Sequence, residues 1–214
     1  THTDPDAGTM PIAVPQGDPH FDMDSTGQVT IPFTRSEFED GVTSPRDQIN
    51  SISSFVDASM VYGSDEETAQ SLRKSSGGLM KTSLSDLLPI DGDGFFQAGD
   101  VRANENPELT ALHTLFVREH NKIVHRLAQE HPSWADDNER LYQEARRRVI
   151  AEIQAITYNE WLPPLLGESL PPYDRYKSDK RPSIRNEFAA AAFRFGHSMV
   201  DDVVEFMDDA GNLI

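Results

Sequence analysis

From Pro107 to Glu130 the chain reads as one uninterrupted helix. Leu109, Leu112, Leu115 with Phe116, Ile123 and Leu127 recur at helical spacing, which lays an apolar stripe along one side of an α-helix. Pro107 suits the first turn, where its missing N–H has no partner to lose, and Pro132 stops the pattern. A stripe of this length must be covered by other elements. A second period over Glu139–Leu162, with Leu141, Ala145, Val149, Ile153, Ile156 and Trp161 inward, is a natural partner; Pro163-Pro164 and Gly167 end it. A third helix is predicted over Ile184–Val200, and a short one over residues 64–76 with Ser64 as its N-cap.

Around these helices the chain is loop. Residues 1–45 are rich in Pro, Asp, Gly and Thr, and read as ordered coil with one short strand near Val29–Phe33. Residues 77–100 are loop, with turns at Gly77-Gly78 and Asp91–Gly94. The segment from Val203 to Ile214 reads as half a hairpin around the turn Asp209–Asn212. The fold class is therefore mainly α, with long ordered loops and little β.

Composition narrows the function. The 214 residues carry a formal net charge of −17, which argues against a nucleic-acid partner, because phosphate binding needs clustered Lys and Arg. There is no cysteine, so disulfides, thiolate metal sites, iron–sulfur clusters and thiol catalysis are all excluded. No run approaches the about 18 apolar residues of a membrane span.

Three constellations carry candidate chemistry. In Phe188–Ser198, Ala189 to Ala192 and Gly196 leave room for a large flat group. Arg194 and His197 lie three apart on the same side; an imidazole can ligate iron and a guanidinium can hold a carboxylate, although a lone histidine on an apolar helix is more often a satisfied core residue. Arg102 and Glu105 stand three apart at the entrance to the first long helix, where a capping arrangement with a surface ion pair is the plain alternative. Ser53, Asp57 and Ser59, in extended chain, can offer side-chain oxygens and Phe55 its carbonyl, a set suited to calcium; a half-buried strand gives the same pattern.

The blocks SFVDASMVYGS (Ser54–Ser64), AGDVRANENPELTALHTLFVREHN (Ala98–Asn121), ITYNEWLPPLLG (Ile156–Gly167) and FRFGHSM (Phe193–Met199) resemble, in order and spacing, those of the animal-type haem peroxidases. The resemblance spans about residues 46–200. It implies that His197 is the proximal ligand of the haem iron and Arg194 the propionate-binding arginine. It also implies that Arg102 is the distal catalytic arginine and that Glu105 forms an ester with a haem methyl group. Ser53, Phe55, Asp57 and Ser59 would form the calcium loop, with at least one further acidic ligand from elsewhere. Some members follow the ester glutamate with a methionine bonded to haem; Asn106 stands there in this chain and precludes that bond. The family's distal block, roughly G-Q-x-x-D-H-D, is not in this sequence, and Thr1–Asp6 resembles the residues that follow it. The chain is thus expected to be the central portion, residues 1–214, of a single peroxidase domain. The rest is expected as the same or a separate chain, and the lack of cysteine points to a bacterial or otherwise divergent member.

The implied reaction uses hydrogen peroxide as oxidant. A distal base moves a proton between the peroxide oxygens and the arginine stabilises the developing charge; halides, pseudohalides or phenols are then oxidised. His2 is the only histidine near the correct end for the distal base, but it precedes Thr3 and not an acidic residue. His113 and His120 share a face seven residues apart, which suits either a metal pair or ordinary packing; His125 and His131 lie on or just after the same helix. Three other readings stay open: a fatty-acid oxygenase of the cyclooxygenase-like branch, a non-catalytic peroxidase-like adhesion or assembly domain, and a fragment that is inactive alone. The expected location is extracellular or periplasmic.

Overall fold

The computed structural model describes residues 9–43, 46–201 and 203–213. The chain divides into two compact units. One contains residues 50–179; the other contains the described parts of residues 4–49 and 180–214.

The first unit is helical. A short helix α1 (Ser59–Tyr62) and α2 (Glu66–Leu72) precede the long α3 (Pro107–Glu130) and α4 (Asn138–Ala155). The limits of α3 follow from local chemistry: the Asn106 side chain accepts the Leu109 amide at 2.8 Å, Pro107 opens the first turn, and His131 and Pro132 close the last. Helix α4 starts on Asp137, whose carboxylate accepts the Arg140 amide at 3.0 Å. Glu144 supports its exposed face by pairing with both Arg147 and Arg148.

Helices α3 and α4 pack on each other and on α1. Their shared core holds Tyr62 of α1, Val117, Ile123, Val124 and Leu127 of α3, and Leu141, Tyr142, Ala145 and Val149 of α4, with Met80 and Leu88 from the connecting loop. The α3 side of this core is rotated from the predicted stripe. Leu112 and Leu115 are about half exposed, whereas His113, Thr114 and His120 are buried. The buried polar residues are held by hydrogen bonds: Thr114 Oγ1 donates to Thr110 O, and His120 is bonded through both ring nitrogens.

Three helix ends also differ from the sequence reading. Helix α2 is capped by Asp65, whose carboxylate accepts the Thr68 amide and hydroxyl, and not by Ser64. It ends at Leu72 because Arg73 is extended and bridges to Met80. Helix α4 does not end at the prolines. It widens into a π segment over Ile156–Trp161 and continues as α5 (Leu162–Leu166), with the prolines in the first turn of α5. Pro163 and Pro164 have no N–H to give to the turn before them, and the wider turn absorbs that loss. Gly167, at φ 73°, ends the helix in the left-handed conformation. Ile156 and Trp161 are exposed, not inward.

In the second unit, β1 (Ile12–Ala13) pairs antiparallel with β2 (Thr30–Ile31), and β3 (Phe38–Thr43) with β4 (Arg46–Gln48). Strand β2 falls within the predicted strand; the β3–β4 pair was not anticipated. Asp22 anchors the loop between β1 and β2. Its carboxylate accepts the Gly17, Thr26 and Gly27 amides and the Thr26 hydroxyl, which hold its pKa at about 2. The predicted third helix is broken: α6 covers Asn186–Ala190, the backbone leaves helical geometry at Ala191 (φ −130°, ψ −68°), and a 3-10 helix covers Ala192–Met199. Asn186 ties α6 to β4 through the Arg46 carbonyl at 2.9 Å. The predicted half-hairpin corresponds to a bridge between Met207 and Leu213, closed by a turn on Asp208.

Candidate active site

The entrance to α3 is built on a short 3-10 turn, Val101–Asn104. Asp100 caps this turn by accepting the Arg102 amide at 2.9 Å. The same carboxylate accepts Arg102 Nε at 2.9 Å and Arg102 Nη2 at 2.6 Å. Asp100 is thereby pulled below the usual carboxylate range, chiefly by the Arg102 side chain, and Arg102 is pushed up, chiefly by Asp100. Arg102 therefore has its own carboxylate two residues before it. The sequence reading set Arg102 beside Glu105 at the helix entrance and gave Asp100 no role.

Gly99 explains why the turn lies where it does. A β-carbon at this position would collide with the Ser59 carbonyl and the Gly63 amide of the α1 segment. Only glycine lets the two backbones approach so closely.

Glu105 follows the turn and is exposed; Asn106 serves α3 as its cap. Both line a cleft of about 840 Å³ whose wall is mostly apolar, with Leu87, Phe96, Leu112 and Leu115. The two leucines missing from the core are found here. A cleft of this size and character suits a small organic ligand.

Arg194 and His197 belong to the second unit and lie on its 3-10 helix. With three residues per turn, positions i and i+3 stack on one edge, so the two side chains share a side despite the loss of α geometry. His197 is exposed, and neither its ring nor the Arg194 guanidinium has a hydrogen-bond partner among the described residues. Phe193, Phe195 and Met199 expose large apolar surfaces on the same helix. Within the second unit, an unengaged imidazole beside exposed aromatic side chains has the chemistry of an axial haem ligand: a free ring nitrogen next to apolar surface.

The expected cation loop is not a strand. Residues 53–58 run through bends, and Ala58 is left-handed at φ 58°. Ser53 Oγ accepts the Phe55 amide, and Asp57 Oδ1 accepts the Ser59 amide, each at 3.1 Å. Extended alternation therefore does not align these oxygens, and among the described residues no group of three or more His, Cys, Asp and Glu could hold a metal ion. Nor do His113 and His120 form a metal pair. Both nitrogens of His120 are engaged, and His113 Nδ1 donates to Leu109 O at 2.6 Å, leaving a buried Nε2 with no partner among the described residues. His2 lies outside the described residues.

Residues 1–213 match the family model described as Animal haem peroxidase. The chain is 36% identical over 237 aligned positions to Peroxinectin A of Dictyostelium discoideum, covering 97% of the chain and 44% of that protein. Its fold superposes on Peroxidase A of Dictyostelium discoideum with a TM-score of 0.86, 34% identity, and coverage of 99% of the chain and 46% of that structure. The fatty acid alpha-dioxygenase of Oryza sativa is more distant, with a TM-score of 0.61 and 26% identity over 78% of the chain. The chain thus spans less than half the length of these relatives. Matched by that family model along nearly its whole length, the chain belongs to the animal haem peroxidase family.

Proposed function

We propose that this chain forms the central portion of a single haem-dependent peroxidase domain that reduces hydrogen peroxide and oxidises a small donor, a halide, pseudohalide or phenol. The observation that carries this reading is the entrance to α3. There the Arg102 guanidinium is fixed by Asp100, and Glu105, three residues on, lines an apolar cleft. The stronger likeness to a peroxidase than to a fatty-acid dioxygenase favours peroxidase over oxygenase chemistry.

Each side chain has a task. His197 would hold the iron through its ring nitrogen, and Arg194, on the same helix edge, would neutralise a propionate. Bound haem supplies the redox-active iron. Arg102 presents positive charge toward the peroxide oxygen that gains electron density, and so lowers the cost of parting the two oxygens. Moving the proton from one oxygen to the other falls to a distal histidine in the family block that this sequence does not contain. Glu105 would esterify a haem methyl group and fix the ring. The Ser53–Ser59 loop would bind calcium once a further acidic ligand joins it. Among the described residues no helix is long and apolar enough to cross a membrane. We place the protein outside the cytoplasm, secreted or periplasmic, where peroxide and halides meet it.

The test is direct. Haem is titrated into the protein and the Soret band followed, then peroxide is added with a phenol or bromide. A high-spin ferric spectrum that disappears with His197→Ala, and peroxide-dependent oxidation of the donor, support the reading. The oxidation arm uses protein that carries the distal-histidine block; there, haem binding without any peroxide-dependent oxidation would leave an adhesion or assembly domain as the better account.

A further inference from the structure

We propose that Asp100 is a positioning residue for Arg102, holding the guanidinium in the one orientation that the peroxide reaction uses. The inference rests on the distal role proposed above for Arg102.

The carboxylate meets the same residue at three points. It accepts the backbone amide at 2.9 Å, Nε at 2.9 Å and Nη2 at 2.6 Å. The Nε and Nη2 contacts engage one side of the planar guanidinium, which fixes its plane as well as its place. Nη1 has no hydrogen-bond partner among the described residues and remains available. The Asp100 side chain is only 13% exposed, while that of Arg102 is 42% exposed. The sheltered partner therefore restrains the open one. The anchor is itself rigid. Asp100 follows Gly99, whose backbone is pressed against the Ser59 carbonyl and the Gly63 amide, and it caps the turn that carries Arg102.

The carboxylate has a second, opposing effect, because its negative charge offsets part of the guanidinium field. If field strength alone governed the reaction, removing the charge would speed it. If orientation governs, removing the charge frees a long side chain with many rotamers and slows it. The geometry favours orientation, since one planar edge is fully engaged and the other is left clear.

The experiment uses the haem-loaded protein carrying the distal-histidine block, with Asp100→Asn and, as control, Arg102→Gln. Asparagine keeps one acceptor for the Arg102 amide, so the turn stays capped, but it loses the paired contact with the guanidinium. Three quantities are read: the rate of the peroxide-dependent change in the haem spectrum, haem affinity with the rate of the later donor-dependent step, and solvent exchange of the Arg102 Nε–H by nitrogen-15 NMR. Asp100→Asn is expected to slow the peroxide step by about tenfold to 100-fold, leave haem affinity and the donor step unchanged, and speed Nε–H exchange. If Arg102→Gln slows the peroxide step and Asp100→Asn leaves it unchanged or faster, the positioning role is wrong and the distal role of Arg102 stands. Equal losses in haem affinity and both steps on Asp100→Asn would mark a merely structural residue and overturn the proposal. If Arg102→Gln has no effect, the distal reading fails first and this one with it.

Discussion

His120 accepts the Tyr62 hydroxyl on Nδ1 at 2.8 Å, and its Nε2 donates to the Gly78 carbonyl at 2.9 Å. The carbonyl can only accept, so Nε2 carries the proton and Nδ1 is the acceptor. The neutral imidazole therefore spends both nitrogens inside a wholly buried core, with the Tyr62 and Tyr142 rings 5.4 Å and 5.3 Å from its own.

This arrangement predicts a pH dependence of stability. Burial is the main cause that pushes His120 down to about 4. In the unfolded chain the same ring titrates near 6.5. Between these values the unfolded chain binds a proton that the folded one refuses. Stability is therefore greatest above about pH 6.5 and falls as the pH drops toward 4, by roughly 3 kcal/mol from this group, with no further loss from it below. Denaturant midpoints of the wild type and His120→Gln, compared at pH 7 and pH 5, check this. The wild type should lose stability over the interval, and the variant should lose markedly less. Equal losses would move the effect to another group.

Gly99→Ala should destabilise the protein and disturb the arginine together. The added methyl group meets rigid backbone, the Ser59 carbonyl and the Gly63 amide, and no flexible side chain can move aside. Overpacking of this kind costs about 1–3 kcal/mol or more. Because Asp100 is the next residue, the shift passes to the cap and to Arg102. Thermal unfolding should show a lower midpoint, and the Arg102 Nε–H signal should move. A variant as stable as the wild type would mean that the two backbones leave room for a methyl group at residue 99.

How much of this was legible in the sequence depended on whether the cause was local. The limits of α3 could be read because Asn106, Pro107 and Pro132 act within a turn of themselves. The inward face could not, because His113, Thr114 and His120 look polar to any count of apolar residues and enter the core only with distant or backbone partners. Leu112 and Leu115 look like core and instead line the cleft. The break at Ala191 was hidden by a run of alanines, each a strong helix former. Residues 98–102 were recognised as a block, yet the grip of Asp100 on Arg102 needs atomic positions to be seen.

Calcium removal tests the loop at residues 53–59. Its oxygens are presently occupied with neighbouring amides, Ser53 with Phe55 and Asp57 with Ser59. A cation would have to compete with weak local bonds only, each worth about 1 kcal/mol. If the loop binds calcium, chelation should lower the thermal midpoint, and the shift should be undone by added calcium but not by magnesium, which demands a tighter octahedral site. Asp57→Asn should abolish the response. A midpoint indifferent to chelator would remove the loop from the list of cation sites.

Glu105 offers the sharpest chemical outcome, because an ester survives denaturation and a coordination bond does not. The carboxylate is exposed in the cleft lining and bonded to no described side chain, so no described group competes for it. After turnover with peroxide in protein that carries the distal-histidine block, acidified organic solvent should leave haem attached to the wild-type polypeptide and strip it from Glu105→Gln; without that block the ester should form poorly or not at all. Mass spectrometry of the peptide containing residue 105 should show the added haem in the first case alone. Ester formation requires peroxide turnover, so Arg102→Gln should lower the yield while leaving initial haem binding in place. Haem extracted equally from both proteins after repeated turnover would show that Glu105 makes no such bond, and would leave His197 as the residue on which haem retention depends.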